Sequence, residues 1–200
     1  MSQAKVITER EHRKILLHIA ANKHASRNKA MFLTTHLSGM RVGEVAALKI
    51  SDVLAADGVI KDEVYLLADQ TKGDKGRTVL LPKRLRDELA SYLSNKFCTR
   101  DLKSINDTDT SYALFANQKN PRRGFTANTL CQYFHHMYKS AGVVGCSSHS
   151  GRRGFITSLA NQGVSVRILM ELAGHKSMAV TQRYIGLNPT MMRNAVELMN

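Results

Sequence analysis

The sequence predicts a mainly α-helical domain with one small antiparallel β-sheet, an α+β fold. Apolar residues recur at helical spacing over most of the chain, whereas residues 58–81 change to short β-rich runs separated by turn residues. The chain contains three prolines, and each falls at an expected element boundary: Pro82, Pro121 and Pro189. No repeat, low-complexity tract or long linker interrupts the 200 residues, which suits one domain.

Caps and apolar periodicity predict the first three helices. Residues 8–22, TEREHRKILLHIAAN, begin with Thr8 and Glu11 at the spacing of a capping box. Residues 27–39 form the second predicted helix, which ends in glycine, and residues 40–50, MRVGEVAALKI, form the third.

The predicted sheet follows, and helices fill the remainder. The β-rich runs cover residues 58–60, 63–69 and 77–82, and TKGDKGR at 71–77 is typical of a basic hairpin turn. The chain then returns to helical periodicity, predicted over residues 83–95, 126–140, 149–162, 165–173, 178–186 and 190–199.

Composition limits the class of protein and of partner. Hydrophobic residues make up 43% of the chain, enough for a real core, so a disordered chain is excluded. Lys and Arg number 29 against 16 Asp and Glu, which gives a formal net charge of +13. Such an excess indicates a polyanionic partner, although ribosomal and membrane-surface proteins share the same balance.

Other features indicate a soluble intracellular protein. No run of apolar residues reaches transmembrane length, and the start MSQAKVITEREHRK lacks the apolar region of a secretory signal. The three cysteines, Cys98, Cys131 and Cys146, are odd in number and form no CxxC pair. Free thiols in a reducing compartment are expected, and no zinc site.

The stretch SHSGRRGFITSL, residues 148–159, places charge where a core is expected. At helical spacing, His149 and Arg152 fall within the apolar stripe of the predicted helix. That stripe consists of Phe155, Ile156, Leu159 and Ala160. A guanidinium directed at a core is costly unless an anion meets it there. A histidine that only caps the helix and an arginine that extends to solvent remain the alternative.

The third predicted helix repeats this pattern. Arg41 falls between Val45 and Leu48 on the apolar side, and Glu44 lies one turn further on, close enough to hold its guanidinium. A buried ion pair that only fixes packing is the alternative.

A third segment, LAGHKSMAVTQRYIG, adds a histidine and a tyrosine. Gly174 ends one helix, His175 lies in the turn, Ser177 caps the next helix, and Tyr184 follows nine positions after His175. A tyrosine on a short terminal helix is either a packing residue or a nucleophile.

These segments together resemble the successive motifs of the tyrosine recombinase family, also called phage integrases. They occur in the family's order and at comparable spacing, from about residue 31 to 186, which is nearly the whole chain. The matching segments are HLSGMRVGEVAALKISDV, TKGDKGRTVLLP, HSGRRGFITSLANQGVSVRILMELAGH and TQRYIG. The resemblance is to short members that consist of the catalytic domain alone, and it implies the tyrosine recombinase catalytic-domain fold.

Carried over residue by residue, the resemblance assigns the first half of a catalytic set. Arg41 matches the first catalytic arginine, with Glu44 supporting it. Lys72 in the hairpin matches the catalytic lysine, and Lys75 is a less favoured substitute further around the same turn.

The second half comes from the C-terminal segments. His149 and Arg152 match the HxxR motif, His175 the second histidine, and Tyr184 the nucleophile. The resemblance implies a site-specific DNA recombinase or integrase that cleaves and rejoins strands through a 3′-phosphotyrosine, without metal, ATP or other cofactor.

One departure from the family concerns the residues beside Arg152. The family commonly has leucine before this arginine and histidine after it, whereas this chain has Gly151 and Arg153. We expect the departure to affect local packing or an extra phosphate contact more than activity.

The chemistry suits these residue types. Cleavage of a phosphodiester develops negative charge on the nonbridging oxygens, which many enzymes neutralise with metal ions. Two guanidiniums, Arg41 and Arg152, supply permanent charge and bidentate donors instead. On this interpretation the anion that meets Arg152 is the phosphate. Tyr184 attacks phosphorus, His149 is the acid–base partner, and Lys72 protonates the departing 5′-oxygen.

Further basic residues are predicted to contact the DNA backbone. The set comprises Lys75, Arg77, Lys119, Arg122, Arg123 and Arg153. A solvated loop is the alternative for the cluster KNPRRGF. The aromatic run at 133–136, Tyr133 to His136, is predicted to pack inward from a helix, in preference to stacking on bases or binding a metal.

The resemblance also implies partners and domain limits. Double-stranded DNA is expected, bound by a homo-tetramer whose protomers can be monomeric when free, with accessory DNA-bending proteins and no membrane. The bacterial, phage or plasmid setting implied is the cytoplasm, at the nucleoid. Residues 1–200 are expected to form one catalytic domain, and Arg41 lies too early for a preceding core-binding domain. The chain is then either a short member of the catalytic domain alone or a fragment of a longer recombinase. The tail at 187–200 either exchanges between subunits or folds back on its own core.

Three rival functions remain to be separated. A type IB topoisomerase shares the chemistry but relaxes supercoils instead of exchanging strands between sites. A DNA-binding regulator that no longer cuts predicts loss among the six catalytic positions, and none is seen. A basic RNA-binding or ribosomal protein would not explain arginines on the apolar face.

Overall fold

The computed structural model describes residues 4–71, 75–98, 102, 112–117, 120, 122–186, 189–197 and 199. The described chain is mainly helical with one two-stranded antiparallel sheet, which confirms the predicted class. Its elements are α1 (Glu9–Ala20), α2 (Ala25–Leu37), α3 (Val42–Ala47), α4 (Ile50–Val53), β1 (Glu63–Leu66), β2 (Arg77–Leu80), α5 (Lys83–Lys96), α6 (Ala127–Ser140), α7 (Ser150–Asn161), α8 (Val166–Ala173), α9 (Met178–Gln182) and α10 (Pro189–Glu197).

Helix α1 begins at the capping box that the sequence predicts. The Thr8 hydroxyl accepts a hydrogen bond from the Glu11 amide at 3.3 Å, and the Glu11 carboxylate accepts one from the Thr8 amide at 3.1 Å. The helix buries Ile15 and Ile19 against α2.

Helix α2 is the central element of the fold. Its residues from Ala30 to Thr35 are all buried, and it packs against α1, α5 and α7. The chain leaves α2 through Gly39, at φ +65°, where the Phe155 ring would lie only 2.5 Å from an added Cβ. The left-handed backbone and this close contact both require glycine, and they fix the approach of the chain to Arg41.

The helix predicted over residues 40–50 is wrong near its C-terminal end, at residues 48–49. Helix α3 ends at Ala47, and Leu48 is extended (φ −61°, ψ 135°). The reason is tertiary pairing, because the Leu48 carbonyl accepts from the Leu114 amide at 2.8 Å and the Ile50 amide donates to the Tyr112 carbonyl at 2.9 Å. This pairing outweighs local helix propensity.

The sheet is shorter than predicted. Strands β1 and β2 pair from Glu63 opposite Leu80 to Leu66 opposite Arg77. Residues 58–60 contribute only an isolated bridge, and residues 68–70 turn into a short 3₁₀ helix instead of extending β1. The predicted helix 178–186 likewise ends early, at Gln182.

Two apolar clusters form the interior. The larger one contains buried residues of helices α1 through α6 and of the sheet. The smaller one holds Ile156, Ala160, Leu169 and Ala173, between α7 and α8, with Tyr184 packed against it.

The aromatic run at 133–136 packs in part as predicted: Phe134 is buried and Tyr133 partly buried, while His135 and His136 are exposed. No helix in the described parts of the chain is both long and apolar enough to cross a membrane.

The glycine before Arg152 explains the departure from the family pattern. A Cβ at Gly151 would lie 2.4 Å from the Thr35 hydroxyl and 2.9 Å from Nδ1 of His36. Side chains of α2 therefore fill the space that a larger residue would need, and Gly151 allows α7 and α2 to approach closely.

This contact predicts opposite effects of alanine at two glycines of α7. We expect Gly151→Ala to lower the free energy of unfolding by about 1–3 kcal/mol, because overpacking outweighs the gain in helix propensity. Gly154→Ala is the matched control: an added Cβ there meets nothing within 4 Å, so stability should rise by up to ~1 kcal/mol. Urea unfolding measures both, and equal stability of the two variants would contradict the packing described.

Candidate active site

A cavity of about 430 Å³ opens where three distant segments of the chain meet. The start of α3, the strand β2 with its preceding turn, and the turn after α8 form its walls. Its lining consists of Arg41, Thr71, Lys75, Gly76, Arg77, Gly174, His175 and Lys176. Two of the six predicted catalytic residues, Arg41 and His175, therefore share one hollow.

Arg41 lies at the N-terminus of α3 with its guanidinium at the cavity wall. Nη1 donates to the Glu44 carboxylate at 2.9 Å, and Nη2 donates to the Gly174 carbonyl at 3.2 Å. The side chain is 27% exposed, so the guanidinium remains accessible from the cavity. The pairing with Glu44 that the sequence indicates is thus present, and it orients a charge that a ligand can reach.

Glu44 is the acceptor at the centre of this arrangement, with a side chain only 1% exposed. Its carboxylate also accepts two hydrogen bonds from Arg77, one from Nη2 at 2.8 Å and one from Nε at 3.3 Å. Burial opposes ionisation of Glu44, but the hydrogen bonds and charges of Arg77 and Arg41 outweigh it and hold the pKa below its ordinary value. Glu44 is therefore a buried anion fixed by two cations.

Arg152 is buried, at 2% exposure, on the first turns of α7. Its Nη1 donates to the Gly39 carbonyl at 2.7 Å and its Nη2 to the Ala173 carbonyl at 2.5 Å. Burial and the nearby Arg41 charge lower its pKa to about 10, with Glu44 opposing. Among the described residues no carboxylate forms an ion pair with it, so this guanidinium is held by carbonyl oxygens.

His175 follows Gly174, which ends α8 in the left-handed conformation at φ +61°. Its Nδ1 is 2.9 Å from the hydroxyl of the buried Thr181. Burial lowers the pKa of His175 to about 4, and the charges of Arg152, Arg41 and Arg77 act in the same direction. The imidazole is therefore neutral at pH 7 and can donate one hydrogen bond.

Tyr184 lies beside His175, with ring centroids 5.3 Å apart and the rings nearly parallel. Its backbone carbonyl accepts from the Thr157 hydroxyl at 2.9 Å, which ties the segment to α7. The Arg153 guanidinium lies 6.0 Å from the ring centroid. Tyr184 is thus both packed against the smaller apolar cluster and adjacent to the cavity residue His175.

His149 is placed differently from the other candidates. It precedes α7 by one residue, its side chain is exposed, and it is absent from the cavity lining of the described structure. It is the N-cap residue of α7 and lies three positions before Arg152. The catalytic candidate Lys72 lies outside the described residues, as does the DNA-binding candidate Lys119.

The remaining DNA-binding candidates have separate surroundings. Lys75 is exposed at the cavity. Arg122 lies over the Tyr112 ring at 5.2 Å, and Arg123 is exposed in the same loop.

The surroundings of Arg77 differ most clearly from its predicted role in DNA binding. The sequence analysis predicts that Arg77 contacts the DNA backbone, but the side chain is 12% exposed and its Nη1 donates to the Leu172 carbonyl at 3.1 Å. Strand alternation contains the missed signal, because Arg77 shares a face of β2 with the buried Val79. Arg77 therefore belongs to a cluster of charged side chains at the cavity, with Arg41, Glu44 and Arg152.

The cluster has an excess of positive charge. Three guanidiniums, those of Arg41, Arg77 and Arg152, surround the single carboxylate of Glu44, which leaves two net positive charges with His175 neutral. In the described residues no group of three or more His, Cys, Asp or Glu side chains is arranged to hold a metal ion. The chemistry that the cavity favours is binding of an anion with several oxygens.

Comparison with known proteins gives one consistent result. A model of the phage integrase family matches residues 5–191. The tyrosine recombinase XerA of Pyrococcus furiosus is 27% identical over 196 residues, which cover 98% of this chain and 62% of the relative. The chain thus spans less than two thirds of that relative's length.

Solved structures agree with this result. The crystal structure of a XerA recombinase superposes with a TM-score of 0.74 at 26% identity, covering 100% of this chain and 65% of that one. The Tn1549 transposon integrase, solved with a circular-intermediate DNA, gives a TM-score of 0.71 at 17% identity over 98% of this chain and 66% of that one; this likeness concerns the fold alone.

The surroundings of His175 predict an unusual titration. We expect its NMR titration midpoint near pH 4, because burial and three guanidiniums disfavour the imidazolium. The unfolded chain takes up this proton near pH ~6.5, so the free energy of unfolding should fall as the pH decreases from there towards 4. His175→Gln identifies the resonance and should reduce the fall. A midpoint at the ordinary histidine value would contradict the described site.

Proposed function

The chain belongs to the phage integrase family, and on that premise we propose that it is a site-specific DNA recombinase that cleaves and rejoins strands through a 3′-phosphotyrosine intermediate. One observation carries the proposal: Arg41 and Arg77 line one cavity, the buried Arg152 is bonded to the Ala173 carbonyl at the edge of the same turn, and a tyrosine lies beside the histidine of the cavity wall. The net positive charge of +13 supports double-stranded DNA as the partner.

In the proposed reaction the scissile phosphate occupies the cavity. Arg41 and Arg152 bind its nonbridging oxygens and stabilise the charge of the transition state, a contribution of about 3 kcal/mol each by comparison with oxyanion-hole donors. Neutral His175 donates a further hydrogen bond. Because these groups supply the charge that metal ions supply elsewhere, we propose that the reaction proceeds without a divalent ion.

Tyr184 is the proposed nucleophile. Its phenolic oxygen bonds to phosphorus while the bond to the 5′-oxygen breaks, which yields a 3′-phosphotyrosine and a free 5′-hydroxyl. His149, which is exposed just before α7, is proposed to turn towards the phenol and take its proton, and Lys72 to protonate the 5′-oxygen. Attack by another 5′-hydroxyl reverses the step, so no ATP is needed.

The backbone on either side of the scissile phosphate requires further contacts. Exposed or partly exposed cations at the cavity and elsewhere on the surface suit this role because they remain accessible to a large polyanion. We propose that Lys75 and Lys176 at the cavity, together with Arg123 and Arg153, contribute them.

Assembly as a homo-tetramer on DNA is part of the proposal. The terminal helix α10 exposes apolar side chains: Met192 at 54% and Val196 at 69%. A largely apolar cavity of about 670 Å³ lies on the face of α7 that carries Phe155 and Leu159. We propose that α10 of one protomer docks in this cavity of the next, which buries both surfaces.

Trapping of the covalent intermediate tests the reaction. Fragmented genomic DNA carrying nicks releases short strands after cleavage, so an adduct should accumulate on the protein in EDTA, and sequencing identifies the attached DNA. We expect linkage to the 3′ end, complete loss in Tyr184→Phe, and retention in the control Tyr133→Phe. An adduct on another residue, or a requirement for magnesium, would overturn the assignment.

Once sequencing has identified the DNA site, the class of reaction can be determined. Strand exchange between two copies of the site supports a recombinase, whereas relaxation of a single supercoiled molecule without exchange supports the type IB topoisomerase alternative.

Charge on α10 tests the assembly. Val196→Asp should decrease the tetramer on DNA at least tenfold, because a carboxylate in an apolar cavity is strongly disfavoured. The free energy of unfolding of the monomer should not change, since the side chain is exposed there. Glu197→Gln on the same helix is the control. Analytical ultracentrifugation on DNA measures the assembly, and an unchanged tetramer in Val196→Asp would contradict the docking.

A further inference from the structure

We propose that Arg77 is a positioning residue of the cavity: it shares the Glu44 carboxylate with Arg41, so that the carboxylate does not fully compensate Arg41 and the charge of Arg41 remains available to the phosphate. The inference rests on the proposed function, because the phosphate is that of the DNA strand. It concerns a side chain that lies on the hairpin strand and acts through its neighbours.

The contacts of Arg77 join three segments that are far apart in sequence. From β2, Nε and Nη2 reach the two oxygens of Glu44 in α3, at 3.3 and 2.8 Å. Nη1 reaches the Leu172 carbonyl in α8 at 3.1 Å. The planar guanidinium fixes these directions relative to one another, which a lysine could not do. Arg77 thereby fixes the position of the hairpin relative to α3 and α8.

Every nitrogen of the Arg77 guanidinium already has an acceptor within the chain, and the side chain is 12% exposed. Arg41 is more than twice as exposed, at 27%. Two nitrogens of Arg77 bind a carboxylate, so its charge is compensated within the chain, whereas Nη1 and Nη2 of the more deeply buried Arg152 bind only carbonyl oxygens. We therefore infer that Arg77 acts through Glu44 and that Arg41, on the cavity wall, contacts the ligand.

Charge explains why the cavity needs a second cation on Glu44. With Arg77 present, the three guanidiniums and one carboxylate leave two net positive charges. Without Arg77, the carboxylate would have Arg41 as its one ion-pair partner among the described residues, and the excess would fall to one. Because the carboxylate is buried, water and salt would screen this change only weakly. The attraction for a phosphate should therefore decrease.

Arg77 also supports the turn that carries His175. Its Cδ would lie only 2.6 Å from an added Cβ at Gly174, so the arginine stem packs directly on this glycine. The Gly174 carbonyl in turn accepts from Arg41. Removal of the stem would loosen the turn beside the cavity.

The inference is tested by whether a double variant forms the adduct faster or slower than the single variant Arg77→Met. Arg77→Met should slow the single-turnover formation of the Tyr184 adduct about 10- to 100-fold, with DNA affinity changed less than about threefold. Adding Glu44→Gln restores the excess of two positive charges, and glutamine can still accept a hydrogen bond from Arg41. We therefore expect Arg77→Met/Glu44→Gln to react at least about threefold faster than Arg77→Met alone. A double variant slower than the single variant would overturn the inference.

Arg27→Met controls for the loss of a buried arginine. Arg27 is 8% exposed and donates to the Ala116 carbonyl at 3.0 Å, outside the cavity. We expect this variant to lower the free energy of unfolding without slowing the reaction per folded molecule. If Arg77→Met slows the reaction no more than Arg27→Met does, Arg77 has only a structural role.

A second readout does not depend on activity. The Arg77 charge contributes to the lowered pKa of His175, so the NMR titration midpoint should rise in Arg77→Met and stay unchanged in Arg27→Met. If the wild-type chain forms no adduct, the proposed function fails, whereas this titration still decides whether Arg77 shapes the cavity. An unchanged midpoint in Arg77→Met would overturn the inference.

Discussion

The Glu44 carboxylate lies between two guanidiniums, 2.9 Å from Arg41 and 2.8 Å from Arg77, with a side chain 1% exposed. A buried carboxylate is tolerable only while its partners are in place, since loss of one leaves uncompensated charge. The partners come from α3 and β2, and the same two arginines bind carbonyls at the end of α8 and in the turn that follows. The ion pairs and these hydrogen bonds together hold three segments against one another, and the cavity lies where the segments meet.

Arg152 shows that the cavity is built at some expense of stability. Its guanidinium is buried and bonded to the carbonyls of Gly39 and Ala173, next to another cation. Because His175 is neutral, it adds no further positive charge beside the arginines. A multivalent oxyanion would relieve the repulsion between them, so the features that disfavour the empty cavity favour a phosphate within it.

Much of this site could be predicted from the sequence because its arginines interrupt apolar stripes. Arg152 is buried as its position among Phe155 and Ile156 indicated, and Arg41 pairs with Glu44 at the predicted spacing. Tertiary contacts decided what could not be predicted. Pairing with residues 112–114 ends α3 at Ala47, and the hairpin arginine Arg77 turns inward because β2 packs that face against the core.

The account depends on direct contact between the buried guanidiniums and the charge of one phosphate. A methylphosphonate at the scissile position removes that charge while it leaves phosphorus open to Tyr184. We predict that Arg152→Met slows cleavage of the natural phosphodiester about 10²- to 10³-fold. Cleavage of the methylphosphonate should slow far less, because this substrate lacks the negative charge that Arg152 stabilises. An equal loss on both substrates would show that Arg152 supports the fold alone and would contradict the account.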